Sequence, residues 1–192
     1  MKGKWLTREL DHKLAAPMFA VSLVVLGLFA VLFYLNDLEA GDGLVFRGCA
    51  IGLAICYPVF WLETLLHLLN GSSRMKQHIW FCLLPISRIG ARDHDTGTMI
   101  WLPSLGWREA NRPLERRLAR AFSIPMIVVA LSVLPIIVLE FFWSDYVEAT
   151  PWLQFAMDVA EAFIWSALTF EFVLMISVVK YSMLYVRKHW ID

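Results

Sequence analysis

Four runs of almost unbroken apolar residues, at positions 15–35, 45–69, 121–143 and 152–180, are separated by two short acidic connections and one long basic one. Each run holds the roughly 20 residues that cross a hydrocarbon core as a helix. In lipid every backbone N–H and C=O must find its partner inside the segment, so an apolar run of this length predicts a helix. The period-2 alternation of a membrane barrel strand is absent. The expected fold is all-α: an integral membrane four-helix unit in which a helix pair (15–69) and a second pair (121–192) flank a basic segment (70–120).

The pattern inside 70–120 is less regular. A short apolar piece, 79–86, is too brief to span and ends at Pro85. With Trp80 and Phe81 inside it and Arg74 and Lys76 beside it, it is expected to lie at the membrane surface. The turn formers Asp95, Thr96 and Gly97 then predict a turn between two short extended pieces. The basic run 108–120 is expected to be a helix leading straight into the third apolar run, with Arg108, Arg112, Arg116, Arg117 and Arg120 available to anionic lipid headgroups at about 1 kcal/mol each. Setting topology alone is the plainer role for them.

Charge orients the whole. Seventeen Lys and Arg balance 17 Asp and Glu, but they are sorted. Lys2, Lys4, Arg8 and Lys13 precede the first run, nine arginines and lysines fall between runs two and three, and Lys180, Arg187 and Lys188 close the chain. The connections 36–44 and 144–151 carry Asp37, Glu39, Asp42, Asp145 and Glu148 with no Lys or Arg, and only Arg47 lies near that side. By the positive-inside rule both termini, including the basic residues 1–14, and the roughly 50-residue middle segment are expected to be cytoplasmic. The first run exceeds the usual 7–15 apolar residues of a signal peptide, and no small-x-small cleavage site precedes the acidic loop, so it is expected to be retained as an anchor.

At 192 residues and 59% hydrophobic, the chain has room for one membrane unit and no large soluble domain. The lipid bilayer is the expected surrounding, and nothing points to nucleic acid. Cys49, Cys56 and Cys82 lack CxxC spacing and read as small buried hydrophobes. No nucleophile-elbow, zinc-protease, P-loop or dinucleotide signature occurs, so neither catalysis, metal nor cofactor is expected. Asp93, His94 and Asp95 form the one cluster with catalytic or metal-binding residue types, but adjacent residues point in different directions, and three polar residues in a turn account for them.

The acids inside the apolar runs carry more information. A charge at the bilayer centre costs about 2.5–3.5 kcal/mol on the insertion scale, so such residues usually face a protein interior and have a use. They are Glu63 in the second run, Glu140 near the end of the third, and Asp158, Glu161 and Glu171 in the fourth. Glu161 and Glu171 are ten positions apart, which is roughly 15 Å along a helix and about 80° around it. They flank one broad face, with Leu168 between them, as an acidic ladder countering cations or a basic helix would. Acids held by local polar partners, or displaced toward the interfaces, are the alternative.

The segment Glu161-Ala-Phe-Ile-Trp-Ser-Ala-Leu-Thr-Phe-Glu-Phe172, followed by Tyr185-Val-Arg-Lys-His-Trp-Ile-Asp192, resembles the second voltage-sensor helix of voltage-gated cation channels and the start of the third. The resemblance covers roughly residues 114–192. It implies that Glu161, Glu171 and Asp192 are countercharges and that 121–143 is the first sensor helix. More closely, the chain resembles bacterial ion-transporter-like membrane proteins with an extra helix pair ahead of the sensor-like region, which implies the bacterial inner membrane. Leu168 stands where the family places an aromatic cap. An Arg-rich fourth helix, a pore loop and a filter are missing, so such helices are expected from a continuing reading frame or another chain. A membrane scaffold or assembly subunit, packing on another membrane chain or a second copy through Gly48, Ala50, Gly52 and Ala54, is the alternative. An enzyme using Asp93, His94 and Asp95 is the remote one.

Overall fold

The computed structural model describes residues 2–37, 43–69, 75–93, 97–103 and 105–179. It is mostly helical, and four helices are long and apolar enough to cross a membrane. They are α1 (Lys2–Asp37), α2 (Leu44–Leu69), α4 (Arg112–Phe142) and α6 (Pro151–Val178); α3 (Met75–Leu83) and the one-turn α5 (Ser144–Glu148) are short.

Two of the long helices begin well ahead of their apolar runs. The basic N-terminal stretch continues as the first turns of α1, because Leu, Lys, Glu and Arg are good helix formers and Glu9 pairs with Lys13 one turn later at 2.8 Å. In α4 the start is set by Asn111, whose side-chain oxygen accepts from the Leu114 N–H at 3.1 Å, with Pro113 in the first turn. Arg108 therefore does not belong to this helix, as the sequence had suggested; it lies on a strand.

That strand belongs to the one departure from helix with paired strands among the described residues. Strands β1 (Met99–Leu102) and β2 (Gly106–Glu109) pair antiparallel, with Trp101 opposite Trp107. The apolar stretch 99–107 thus folds back on itself between Leu102 and Gly106, and Gly106 takes a positive φ of 67° that favours glycine. The expected turn near Gly97 is a second, smaller reversal, marked by an isolated bridge between Arg92 and Ile100 and a positive φ of 65° at Gly97.

The piece 79–86 exposes Ile79, Trp80, Leu83 and Leu84 and buries Phe81, Cys82 and Pro85. Helix α3 ends before Pro85, as that proline requires, and a 3-10 turn (Pro85–Gly90) then packs among the long helices. Ile89 from this turn, Ile100 and Leu102 from β1, Leu114 and Leu118 from α4, Phe19 and Leu26 from α1, and Leu174, Met175 and Val178 from α6 make the largest core cluster. Five chain segments therefore meet at one end of the molecule. A smaller cluster of Ile136, Val147, Met157 and Ile164 ties α4, α5 and α6 together toward their other end.

The long helices stand in a row rather than a closed bundle: α2 packs on α1, α1 on α6, and α6 on α4. Gly52 of α2 meets Leu28 of α1, whereas Gly48 faces open space, so only part of the small-residue stretch serves helix contact. Large apolar side chains cover the outside, among them Phe33, Ile55, Trp61, Ile124, Phe141 and Phe163. In water such a surface would aggregate; in lipid it is solvated.

Candidate functional site

Ionisable groups within the apolar helices fall into two constellations. The first lies where the 3-10 turn enters the helix row. Glu63 and His67 sit one turn apart on α2 and face the same way, because residues four apart share a helix side. Both are fully enclosed, at 2% and 0% exposure. Arg88 of the 3-10 turn reaches Glu63 with two nitrogens, Nη2 to Oε1 at 2.7 Å and Nε to Oε1 at 3.0 Å. Its guanidinium also lies over the Phe81 ring, 5.5 Å from the centroid. His67 Nε2 is 3.5 Å from Asp11 Oδ1 on α1. Alongside, the Thr64 hydroxyl and the Cys82 thiol meet at 3.0 Å.

Two further contacts lock the 3-10 turn in place. Arg92 donates from Nη2 to the Ser177 carbonyl at 2.8 Å and to the Val179 carbonyl at 3.1 Å. A guanidinium thus covers carbonyls that the end of α6 leaves without helical donors, which its dipole also favours. Gly90 lies so close to α6 that a Cβ there would collide with the Ser177 side chain. Chemically Glu63 and Arg88 are a matched acid–base pair, hydrogen-bonded to each other. The constellation fastens α1, α2, α3 and the 3-10 turn and leaves Glu63 engaged by a cation of its own chain.

The second constellation lies at the opposite end of α4 and α6 and is unmatched. Glu140 of α4 lies across the helix seam from Glu161 of α6, whose charge acts on it, and Asp158 stands one turn from Glu161. The charges acting on Glu140 and Asp158 are those of neighbouring acids. One carboxylate oxygen of Asp158 is shielded from solvent and makes no hydrogen bond. Glu140 and Asp158 line a pocket of about 260 Å³ with Ser144, Val147, Gln154 and Met157. Among the described residues no three His, Cys, Asp or Glu side chains converge as metal ligands. Glu171 lies further along α6 in a shallow groove with Trp165, Leu168, Thr169 and Phe172.

The structure thus separates residues that the sequence groups together. Glu161 turns toward α4, Glu171 occupies its own groove on α6, and Glu63 belongs to the other constellation. Asp192 lies outside the described residues, as do His94 and Asp95. Asp93 accepts a hydrogen bond from the Met99 N–H at 3.0 Å, a contact that shapes the turn. Arg108, Arg112, Arg116, Arg117 and Arg120 are all exposed. Arg88, Arg92, His67 and Asp11 were not singled out from sequence; the spacing of Glu63 and His67 was the available sign that α2 has a polar side.

No family model, curated protein or solved structure matches the chain.

Proposed function

We propose that this chain is a multi-pass membrane subunit whose α4–α6 face receives a second membrane segment carrying Arg or Lys, for which Glu140, Asp158, Glu161 and Glu171 are countercharges. The observation that carries the reading is the placement of acids at one seam, where Glu140 of α4 and Asp158 of α6 line a common pocket and the charges acting on Glu140 are those of Glu161 and Asp158. Adjacent carboxyls repel when ionised, and in a membrane neither repulsion nor desolvation is relieved by bulk water. A guanidinium or ammonium brought in by another helix relieves both. A cationic side chain fits better than a dehydrated metal ion, because the carboxyls are spread along a seam instead of converging on a point.

The narrower form of the reading is kinship with voltage-sensor helices. The ten-residue interval between Glu161 and Glu171 and the packing of α6 on α4 support it. Charge sorting supports an orientation with the hairpin end cytoplasmic, and the resemblance implies a bacterial inner membrane.

The test measures the size of the assembly extracted from membranes in mild detergent. Wild type should run as a complex larger than the 22.1 kDa chain, and Glu140→Gln/Glu161→Gln/Glu171→Gln should shift most of it to the single-chain size. Glu109→Gln, on the exposed hairpin, should leave the complex intact. A wild-type chain that runs alone, or a triple variant that assembles like wild type, contradicts the proposal.

A further inference from the structure

The first turns of α4 present a charge pattern that the acid-bearing face does not explain. Leu114 and Leu118 point into the core, and on the opposite side Arg112, Arg116, Arg117 and Arg120 with Pro113 line an open concavity of about 650 Å³. No hydrogen bond or ion pair to any of these four arginines is found among the described residues. Arginines four apart repel one another, and Arg112 in the first turn faces the positive end of the helix dipole, with Glu115 the one acid of that turn. This stretch of α4 is therefore locally unfavourable unless an anion joins it.

The membrane supplies the geometry of that anion. Below Arg116 and Arg120 the same side of α4 continues with Ile124, Ile127 and Leu131, which are 72%, 57% and 58% exposed. Of the four long helices α4 is the least covered, with only 6% of its apolar window buried. Arginines above a bare aliphatic stripe match a phosphate headgroup above acyl chains. From Arg112 to Arg120 is about 12 Å along the axis, and the concavity falls within the roughly 300–1,000 Å³ of small-molecule sites. That is more length and space than one phosphate uses.

We infer that the N-terminal turns of α4 form a binding site for an anionic phospholipid carrying two phosphates, with the guanidiniums on the phosphates and the Ile124–Ile127–Leu131 side along an acyl chain. Guanidinium forks bind phosphate oxygens in pairs, so the site favours a headgroup presenting several oxygens over a diffuse negative surface. This does not depend on the countercharge role of the acids at the other end of α4.

The test uses the full purified chain, delipidated in detergent, and follows its unfolding midpoint while cardiolipin, phosphatidylglycerol at matched total charge, phosphatidylcholine or soluble inorganic pyrophosphate is added. Cardiolipin should stabilise at a concentration at least about tenfold below phosphatidylglycerol, and neither phosphatidylcholine nor pyrophosphate should match it. Arg116→Gln/Arg120→Gln should weaken the cardiolipin effect roughly thirtyfold, the Boltzmann factor for two arginines at a lipid surface. Arg108→Gln should not change it. Arg116→Lys/Arg120→Lys, which keeps the charge that guides membrane insertion, should weaken it several-fold by losing the paired hydrogen bonds. Equal action of cardiolipin and phosphatidylglycerol, a pyrophosphate effect as large as the lipid's, or an unchanged response in the double Gln variant would overturn the inference.

Discussion

The two ends of the helix row treat charge on apolar helices in opposite ways. Where the 3-10 turn enters, Glu63 has Arg88 at 2.7 Å, and Arg92 covers the carbonyls at the end of α6. At the seam of α4 and α6, Glu140 and Glu161 face each other, and the charges acting on Glu140 are those of acids. A bilayer penalises both arrangements, but only the first is neutralised by the chain that contains it. The contrast separates charge used to build the fold from charge that needs something outside the fold. It assigns Glu63 to the first kind and the α4–α6 acids to the second.

The strongest way to break the contrast is at the first end. Arg88→Met leaves Glu63 buried without its cation and should cost about 3–5 kcal/mol in the unfolding of the purified chain. The double variant Glu63→Leu/Arg88→Met should recover most of that loss, since an apolar pair of similar volume replaces the ion pair without a stranded charge. A small loss in the single variant, or no recovery in the double, would place the two residues apart.

A smaller effect is expected at Gly90. Its replacement by Ala should push the 3-10 turn off α6 and cost about 1–3 kcal/mol, the usual range for overpacking. Combining Gly90→Ala with Ser177→Gly should restore stability, because the colliding atoms belong to the Ser177 side chain. The unfolding midpoints of the three variants check this. An unaltered Gly90→Ala midpoint would mean that the turn is not held against α6.

The long helices were legible because hydrophobicity is a local signal: runs 45–69 and 121–143 match α2 and the membrane part of α4 closely. At the basic flanks hydropathy falls while the helix continues: the helical lead into the third run was expected and starts at Arg112 instead of Arg108, whereas the extension of α1 back to Lys2 was not. The turn formers at 95–97 marked the reversal that brings Arg92 opposite Ile100, but the hairpin 99–109 went unforeseen, although the spacing of Pro103 and Gly106 marks its turn. Arg88 was invisible as a partner of Glu63 because 25 residues and a helix end separate them, and no periodicity links an α-helix to a 3-10 turn. Of the acids, their presence inside apolar runs was plain from sequence. Which neighbour each one faces depends on the order of helices in the row, and that order is a property of packing.

The contrast is sharpened most directly by comparing two changes in one assay, the unfolding of the isolated, purified chain. Glu63→Gln removes a charge that its own chain neutralises and should destabilise by several kcal/mol through the stranded Arg88. Glu140→Gln/Glu161→Gln removes mutual repulsion and should leave stability unchanged or raise it by up to about 1 kcal/mol. Opposite responses of this kind are what the account predicts; a loss at the α4–α6 seam as large as that at Glu63 would contradict it.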